Sequence, residues 1–375
     1  MKTRSIADSI KKDLTRKIVL VSGPRQSGKT TLARMLKDRF DYLNFDLAEH
    51  RLLLKEKSWD RKKDLIIFDE LHKMDDWKSW LKGVYDVEAP PPQMIITCSA
   101  RLDTIRKVGD SLAGRYFLYR LHPFDIKEAC SFLTPDESLD RLLRVGGYPE
   151  PFLENDDRFY KRWKKTHLDI ILRQDLIDLE SVRDIKSIET LIELLRHRVG
   201  SLISYASLAR DLNRDAKTIK RWLLLLENLF VIFPVYPWNK NIARAILKMP
   251  KYYFFDTGQV IGDPGVKLEN VVAGAILKEL NRLEDEEGAE TTLHYIRNKE
   301  GKEIDFAIKI NNNLSHLIEV KNSDDTLSKQ FKTFDVFGNI NKIQLVKTIK
   351  REKTFPGGEE IRKAADYLAN FQIES

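Results

Sequence analysis

Short apolar runs, each followed by a polar or amphipathic stretch, recur along the first 140 residues of the chain. They lie at residues 18–21, 42–47, 65–68, 94–98 and 116–119. Runs of this length are typical of strands that are buried on both faces, and helices between such strands make them parallel. The pattern therefore predicts an α/β domain built on a five-stranded parallel sheet.

The alternation of strands and helices stops near residue 139, where the helix-breaking cluster Gly146-Gly147-Tyr148-Pro149 soon follows. Beyond a helical stretch, the pattern predicts two helices at 205–212 and 216–229, with strands at 231–235 and 251–255 after them. This order is that of a helix-turn-helix with a wing. We expect a helical and winged-helix region in the middle of the chain.

The last part of the chain combines a predicted helix at 266–280 with a hairpin at 293–308 and a strand at 317–321. A chain of 375 residues also exceeds the size at which one hydrophobic core usually stops growing. We therefore expect three domains, at residues 1–140, 141–260 and 261–375.

Directly after the first apolar run, the chain carries the pattern G-x-x-x-x-G-K-T of a phosphate-binding loop. Glycines let such a loop bend so that backbone N–H groups face a triphosphate, here ATP. Lys29 is expected to reach the β- and γ-phosphates, and Thr30 is expected to place its hydroxyl on Mg²⁺. The predicted nucleotide-binding residues are Gly23, Pro24, Arg25, Gln26, Ser27, Gly28, Lys29, Thr30 and Thr31.

Polar residues at the ends of later strands supply the remaining chemistry of a hydrolase. Asp69 and Glu70 follow the run at 65–68, where Asp69 would hold Mg²⁺ and Glu70 would orient the attacking water. Ser99 follows the run at 94–98 and is a candidate sensor of the γ-phosphate, with Thr97 as the competing choice. Arg115 is either an arginine finger or sensor, in its own subunit or toward a neighbour's nucleotide, or simply the partner of a local carboxylate.

Basic residues cluster on the second helix of the predicted helix-turn-helix. Arg214, Lys217, Lys220 and Arg221 lie where a winged helix contacts bases or phosphates of DNA or RNA. The alternative is that the module only packs or couples other domains.

Acidic residues and one lysine recur in the predicted C-terminal domain. Because residues two apart on a strand share a face, Glu319 and Lys321 project together, and Asp305 on the neighbouring strand can meet them. Glu269, on the preceding helix, adds a third acid. Such carboxylates suit a second divalent metal in a nuclease-like site, whereas the alternative is an ordinary solvated face.

The net charge of +7 permits contact with nucleic acid, although 32% of residues are charged and both signs are present, as on an ordinary surface. The two cysteines, Cys98 and Cys130, match no paired metal-ligand spacing and indicate no disulfide framework. The chain shows no secretion signal and no apolar run long enough to span a membrane. We expect a cytoplasmic protein without a membrane partner.

Taken together, these features resemble the prokaryotic AAA+-type ATPases, in which a P-loop core of the ASCE type precedes a C-terminal domain of unknown function with a winged helix and a restriction-endonuclease-like fold. The resemblance implies ATP binding and hydrolysis. One departure is Cys98, which replaces the glycine of the family's Thr-Gly-Ser strand end. Besides the phosphate loop, the motifs that carry the resemblance are Asp69-Glu70-Leu71-His72-Lys73, Ser111-Leu112-Ala113-Gly114-Arg115, Gly146-Gly147-Tyr148-Pro149, Phe254-Phe255-Asp256-Thr257-Gly258, Lys267-Leu268-Glu269-Asn270, Glu303-Ile304-Asp305-Phe306 and Glu319-Val320-Lys321.

The leading hypothesis is an Mg²⁺-dependent ATPase whose nucleotide state is coupled to the C-terminal modules, which act on nucleic acid. A second hypothesis is an ATP-gated, metal-dependent nuclease. A third is a nucleotide-switched binding module without nuclease activity. A homo-oligomer is compatible with all three, and a small-molecule kinase is a distant fourth because Glu70 suits water activation better than transfer to a metabolite.

Overall fold

The computed structural model describes residues 2, 4–88, 92–101, 112–175, 184–238, 249–324, 326–334 and 340–374. Contacts divide the chain into two compact units. The first comprises Met1–His122 with Asn228–Phe230, and the second comprises Pro123–Glu227 with Val231–Ser375. The three-domain division with boundaries at 140/141 and 260/261 stays a prediction.

The first unit is built on a parallel sheet, as its apolar runs predict. The sheet has five strands in the order β2-β3-β4-β1-β5, and each neighbouring pair is parallel. The second strand ends at Asn44, so the predicted strand at 42–47 is placed slightly too late. The strands are β1 (Ile18–Ser22), β2 (Phe40–Asn44), β3 (Leu65–Asp69), β4 (Gln93–Cys98) and β5 (Tyr116–Arg120).

Helices cover both faces of this sheet, which explains why its central strands are apolar throughout. Successive residues of β1 serve opposite faces: Ile18 and Leu20 belong to one buried cluster, whereas Val19 and Val21 belong to the other. The helical segments of this unit are α1 (Ala7–Asp13), α2 (Lys29–Met35), α3 (Ala48–Glu56), a 3₁₀ turn (Leu71–Lys73) and α4 (Trp77–Val87).

The strand order brings the predicted ATP residues to one edge of the sheet. β3, β4 and β1 are neighbours, and all three run in the same direction. The phosphate loop follows β1, the acidic pair lies at the end of β3, and Ser99 follows β4. Ligands of open parallel sheets bind outside the carboxyl ends of the strands, where these residues meet.

The second unit begins with helices. A capping box starts α6, because the Thr134 and Glu137 side chains each accept from the other's backbone N–H. Its helical segments before the sheet are α5 (Ile126–Ala129), α6 (Pro135–Val145), α7 (Pro149–Glu154), α8 (Asp157–Ile170), a π-helical segment (Ile171–Asp175), α9 (Ile185–Arg196), α10 (Tyr205–Asp211) and α11 (Ala216–Asn228).

The sheet of the second unit contains strands from both the middle and the end of the chain. The predicted wing strands, β6 (Ile232–Pro237) and β7 (Lys251–Phe254), are antiparallel to one another, and β6 also pairs in parallel with β8. They therefore continue the C-terminal sheet, whose order is β12-β13-β11-β10-β9-β8-β6-β7. Its remaining strands are β8 (Thr291–Arg297), β9 (Glu303–Ile310), β10 (Asn313–Lys321), β11 (Asn341–Val346), β12 (Lys353–Thr354) and β13 (Glu359–Lys363).

A long helix, α12 (Pro264–Glu287), packs against β7, β8 and β10 and carries Glu269 toward this sheet. It exceeds the predicted helix at 266–280 at both ends, because Asp263 caps its start and Gly288, at φ +71°, ends it. The other short helical segments are a 3₁₀ turn (Thr257–Gln259), α13 (Gln330–Thr333) and α14 (Ala364–Ala369). Among the helices of the described ranges, none combines the length and the apolar character that a membrane crossing requires.

Candidate functional site

The phosphate loop leaves β1 through a glycine that no other residue can replace without a shift of the backbone. A Cβ atom on Gly23 would lie 2.3 Å from the carbonyl oxygen of Leu121. At the other end of the loop, Gly28 has a φ of +97° where α2 begins. Both positions use the freedom of glycine, one for close approach and one for a left-handed conformation.

Lys29 is held inside this loop. Its ammonium donates to the carbonyl oxygens of Gly23 at 2.9 Å and Pro24 at 2.8 Å, and the residue is only 6% exposed. Of the other predicted loop residues, Ser27 is buried, whereas Gln26 and Thr31 are exposed. The structure therefore concentrates positive charge within the loop, where the triphosphate is expected.

Asp69 is the centre of a hydroxyl network at the end of β3. Thr30 Oγ1 donates to its Oδ2 atom at 2.9 Å, and the Tyr42 hydroxyl donates to the same oxygen at 2.6 Å. The Thr97 hydroxyl donates to the other oxygen, Oδ1. Burial, together with the Asp69 carboxylate, raises the pKa of Tyr42 to about 12, so this phenol stays a donor.

Glu70 is held separately from Asp69. Its φ is +55°, and its backbone N–H donates to the carbonyl of Thr97 at 3.0 Å. The Ser99 hydroxyl donates to its Oε2 atom at 3.0 Å. Ser99 and Thr97, the two competing sensor candidates, thus bind different acids: Ser99 binds Glu70, and Thr97 binds Asp69.

His72 also faces Glu70, with Nδ1 at 3.5 Å from Oε2. Burial lowers the pKa of His72, so the imidazole beside the Glu70 carboxylate is neutral at about pH 7. A neutral ring keeps Glu70 free of a strong ion pair.

Arg4 supports the phosphate loop, and sequence reasoning missed it. Its guanidinium donates to the carbonyl oxygens of Ser27 at 2.8 Å and His122 at 2.5 Å, and the residue is 6% exposed. A lone arginine before the first helix carries no local signal of this contact. His122 is 118 residues away in the chain.

Arg115 forms a two-point ion pair with a local carboxylate. Its Nε and Nη2 atoms donate to the oxygens of Asp86 at 2.8 and 3.1 Å. This pair lowers the pKa of Asp86, mainly through the hydrogen bond from Arg115. The geometry is that of the local-partner alternative, and a role toward nucleotide stays a prediction. Ser111 of the same motif lies outside the described residues.

Residues at the strand ends fit ATP and Mg²⁺. Lys29 supplies a cation within the loop, and Thr30 and Asp69 bring two oxygen ligands together. Proteins commonly bind Mg²⁺ through one or two such oxygens, with the substrate phosphates completing the shell. Bound there, Mg²⁺ would neutralise charge on the phosphates.

The basic residues of α11 have different surroundings. Arg214 donates through Nε and Nη2 to Asp184 at 3.0 and 2.5 Å, so a structural ion pair holds it. Lys217, Lys220 and Arg221 are exposed. All four predicted nucleic-acid contacts are thus exposed, and Arg214 differs from the other three in its ion pair with Asp184.

The predicted acids of the C-terminal domain do come together. The Val320 N–H donates to Asp305 at 2.9 Å, and Lys321 Nζ lies 2.7 Å from Glu319 Oε1. Burial, followed by the charges of Glu269 and Glu319, raises the pKa of Asp305 well above its ordinary value. Burial likewise raises the pKa of Glu319, whose Oε2 atom is buried and has no hydrogen-bond partner among the described residues.

Sequence reasoning missed three further members of this cluster. The Tyr253 hydroxyl donates to Glu269 Oε1 at 2.6 Å. Lys251 Nζ lies 3.6 Å from Glu269 Oε1 and 2.5 Å from Glu303 Oε1. For two of them, Lys251 and Tyr253, the signal that could have found them is the alternation of β7, which puts both on one face.

The second divalent metal that the sequence predicts for these carboxylates does not fit this cluster. The buried Lys251 ammonium already contacts Glu269 and Glu303. In the part of the chain that the structure describes, no set of three or more His, Cys, Asp or Glu side chains is arranged to hold a metal ion. The carboxylates converge as predicted, but with an ammonium among them.

Comparison with known families divides the chain into three segments. The pattern of the AAA domain matches residues 15–130. Two domains of unknown function, DUF8612 and DUF4143, match residues 136–261 and 265–364.

Relatives in other organisms extend over more than one of these segments. The uncharacterized protein Rv2008c of Mycobacterium tuberculosis is 30% identical over 312 residues, which cover 78% of this chain and 68% of the relative. The uncharacterized protein Mb2031c of Mycobacterium bovis matches to the same extent. The uncharacterized protein MJ1544 of Methanocaldococcus jannaschii is 25% identical over 272 residues, which cover 64% of this chain and 60% of the relative.

Solved structures give only weak similarity. The signal transduction ATPase PH0952 of Pyrococcus horikoshii aligns at 14% identity and a TM-score of 0.23, covering 74% of this chain and 46% of that chain. PCH-2 of C. elegans aligns at 14% identity and a TM-score of 0.22, covering 58% of this chain and 66% of that chain. Scores this low carry no argument about fold or function.

Proposed function

The chain belongs to one family with the mycobacterial protein Rv2008c and carries an AAA domain at residues 15–130, and we propose that it is an Mg²⁺-dependent ATPase. The observation that carries the proposal is the convergence of the phosphate loop with Asp69 and Glu70 at one sheet edge. There, Thr30 bonds Asp69 at 2.9 Å and Ser99 bonds Glu70 at 3.0 Å.

Each residue has a distinct part in this proposal. Lys29 binds the β- and γ-phosphates from within the loop, and Thr30 and Asp69 hold Mg²⁺. Glu70 accepts a hydrogen bond from the attacking water and so orients it toward the γ-phosphate. The Ser99 hydroxyl fixes the Glu70 carboxylate in that position.

The test is ATP turnover in Glu70→Gln. Loss of the carboxylate charge should lower kcat by about 100-fold or more while ATP still binds, because general-base contributions are of that size. Lys29→Ala should instead abolish ATP binding. Glu56→Gln, at an exposed position of the same unit, is the matched control and should behave as wild type. Undiminished ATP hydrolysis in Glu70→Gln would show that Glu70 does not orient the attacking water.

We further propose that nucleotide state controls binding of nucleic acid by the second unit. Lys217, Lys220 and Arg221 support this because they are exposed together on α11, in a chain of net charge +7. The measurement is DNA and RNA affinity with ATP, with ADP and without nucleotide, alongside phosphate release with and without each nucleic acid. The coupling is contradicted if nucleotide leaves the affinity for DNA and RNA unchanged and nucleic acid leaves ATP turnover unchanged.

An ATP-gated nuclease is the second candidate, because Asp305, Glu319 and Lys321 converge. A metal ion would have to displace the Lys251 ammonium from Glu269 and Glu303 for this activity. The nuclease candidate predicts cutting of DNA or RNA in the presence of Mg²⁺ or Mn²⁺ that is lost in Asp305→Ala. Binding that depends on ATP, with no cutting in that assay, would support the non-cleaving module instead. The position of the Lys251 ammonium among these carboxylates is relevant to the choice between a cleaving and a non-cleaving module.

A further inference from the structure

Lys251 is a buried cation in the carboxylate cluster of the second unit. Its side chain is 3% exposed, and its Nζ lies 2.5 Å from Glu303 Oε1 and 3.6 Å from Glu269 Oε1. The same ammonium lies 5.5 Å from the centre of the Tyr295 ring. Burial of an ammonium is costly unless such partners surround it, so this arrangement is specific to a positive charge.

The backbone fixes Lys251 in this place. It begins β7, where it pairs with Val235 on β6 and bridges to Leu202 on its other side. Tyr253 projects from the same face of the strand two residues later and donates to Glu269 at 2.6 Å. The strand therefore delivers a cation and a hydroxyl to the same carboxylate.

The space around Glu269 is closed on another side by Gly200. A Cβ atom on Gly200 would lie 2.7 Å from Glu269 Oε1, so even one more carbon would collide with the carboxylate. Oxygen Oε1 of Glu269 already accepts from Tyr253 and faces the ammonium.

Two further carboxylates of the cluster, Glu303 and Glu319, have other cations beside them, whereas Asp305 accepts from the Val320 N–H. Glu303 also accepts from Arg297 at 3.0 Å, and Lys321 lies 2.7 Å from Glu319. Side chains of this unit thus supply the positive charge that a divalent ion would supply in a metal-dependent nuclease.

We propose that the Lys251 ammonium is the built-in cation of this carboxylate cluster and takes the place that a divalent metal would otherwise occupy. The cluster then keeps its arrangement without metal, and an ion that enters must displace the ammonium. The inference concerns the second unit alone and does not depend on ATP hydrolysis, so it stands or fails separately from the ATPase proposal.

The test compares Lys251→Met with Lys321→Met in the full chain without nucleotide. Both variants remove an ammonium from the cluster, but Lys321 is 38% exposed. Manganese binding is measured by calorimetry, and the Tm is measured with Mn²⁺ and with EDTA. Lys251→Met should have a lower Tm that Mn²⁺ restores, with Mn²⁺ bound at least about tenfold more tightly than by wild type. Mn²⁺ should not raise the Tm of Lys321→Met, and this variant should bind Mn²⁺ no more tightly than wild type does.

A second comparison is independent of whether Lys251→Met folds. Wild type and Glu269→Gln should have the same Mn²⁺ titration, because the ammonium, not metal, is the partner of Glu269. Wild-type Mn²⁺ binding that Glu269→Gln removes would overturn the proposal. A folded Lys251→Met variant with an unchanged Tm and no gain in Mn²⁺ binding would overturn it too.

Discussion

The Ser99 hydroxyl donates a hydrogen bond to Glu70 Oε2 at 3.0 Å, although the two residues follow different strands. Because β3 and β4 are parallel neighbours, their ends lie side by side. One acceptor position of Glu70 is thereby engaged and its carboxylate is oriented, while Asp69 is engaged by other hydroxyls. The two acids at the end of β3 thus have different hydroxyl partners.

This contact predicts a kinetic effect for Ser99→Ala. Loss of the hydroxyl should lower kcat by about 10- to 100-fold with little change in ATP affinity, because Ser99 holds the carboxylate that we propose activates the water. Ser58→Ala, an exposed serine in the same unit, is the control. Single-turnover hydrolysis measures the rate of the chemical step, and nucleotide titration measures the affinity for ATP. An equal loss of affinity and turnover would show that Ser99 acts in binding instead.

Arg4 should matter for both stability and nucleotide binding. Arg4→Ala leaves the Ser27 and His122 carbonyls without a charged donor, which should cost about 2–4 kcal/mol of unfolding free energy. ATP affinity should fall as well, because Ser27 belongs to the phosphate loop. The control is Arg16→Ala, at an exposed arginine that follows α1. Urea unfolding and nucleotide titration measure the two effects, and wild-type values for both would contradict the role.

Gly146 and Gly288 offer a matched pair of glycine substitutions. Both have φ near +70°, but a Cβ on Gly146 would lie 1.8 Å from Asp256 Oδ1, whereas nothing lies within 4 Å of one on Gly288. Gly288→Ala should cost about 1 kcal/mol for the left-handed conformation. Gly146→Ala must also displace a buried carboxylate and should cost about 3 kcal/mol or more. Equal unfolding free energies in the two variants would contradict this explanation.

Asp256 should make stability depend on pH. Burial raises its pKa to about 6, despite hydrogen bonds from Tyr160, Gly258 and Gln259. A carboxyl whose pKa is raised by folding holds its proton longer in the folded state, so stability falls as pH rises from about 4 to about 6. The loss should amount to about 2–3 kcal/mol.

The measurement compares the unfolding free energy of wild type and Asp256→Asn across that pH range. The difference between the two should change between pH about 4 and about 6 and stay constant above it, because only the wild type titrates there. A difference that does not vary with pH would show that Asp256 is ionised throughout.

Local patterns were sufficient to predict that the proposed ATP-binding residues lie together at one edge of the sheet. The phosphate loop and the Asp69-Glu70 pair each follow an apolar run directly, and parallel strands bring such ends together. The five-stranded parallel sheet is confirmed for the same reason. What makes these features predictable is that each needs only a strand and the few residues after it.

Contacts between distant parts of the chain could not be predicted in this way. Arg4 meets His122, and Lys251 meets Glu303, but no sequence spacing records either pair. The ion pair of Arg115 matches the local-carboxylate alternative, but the sequence did not identify Asp86 as the partner. The pairing of β6 with β8, which joins the predicted wing strands to the C-terminal sheet, is likewise a contact across many residues.

The different surroundings of Arg214 and Lys217 predict different effects on nucleic-acid binding. Lys217 is exposed, so Lys217→Ala should weaken binding to all sequences alike and reduce the salt slope by about 1, as expected for a phosphate contact. Arg214 is held by Asp184 at 2.5 Å, so Arg214→Ala should change affinity less and stability more. Salt-dependent binding to unrelated DNA and RNA duplexes and thermal unfolding distinguish the two. If Arg214→Ala loses more affinity than Lys217→Ala, the arginine leaves Asp184 to contact the nucleic acid. If both variants keep the wild-type affinity, α11 is not part of the interface.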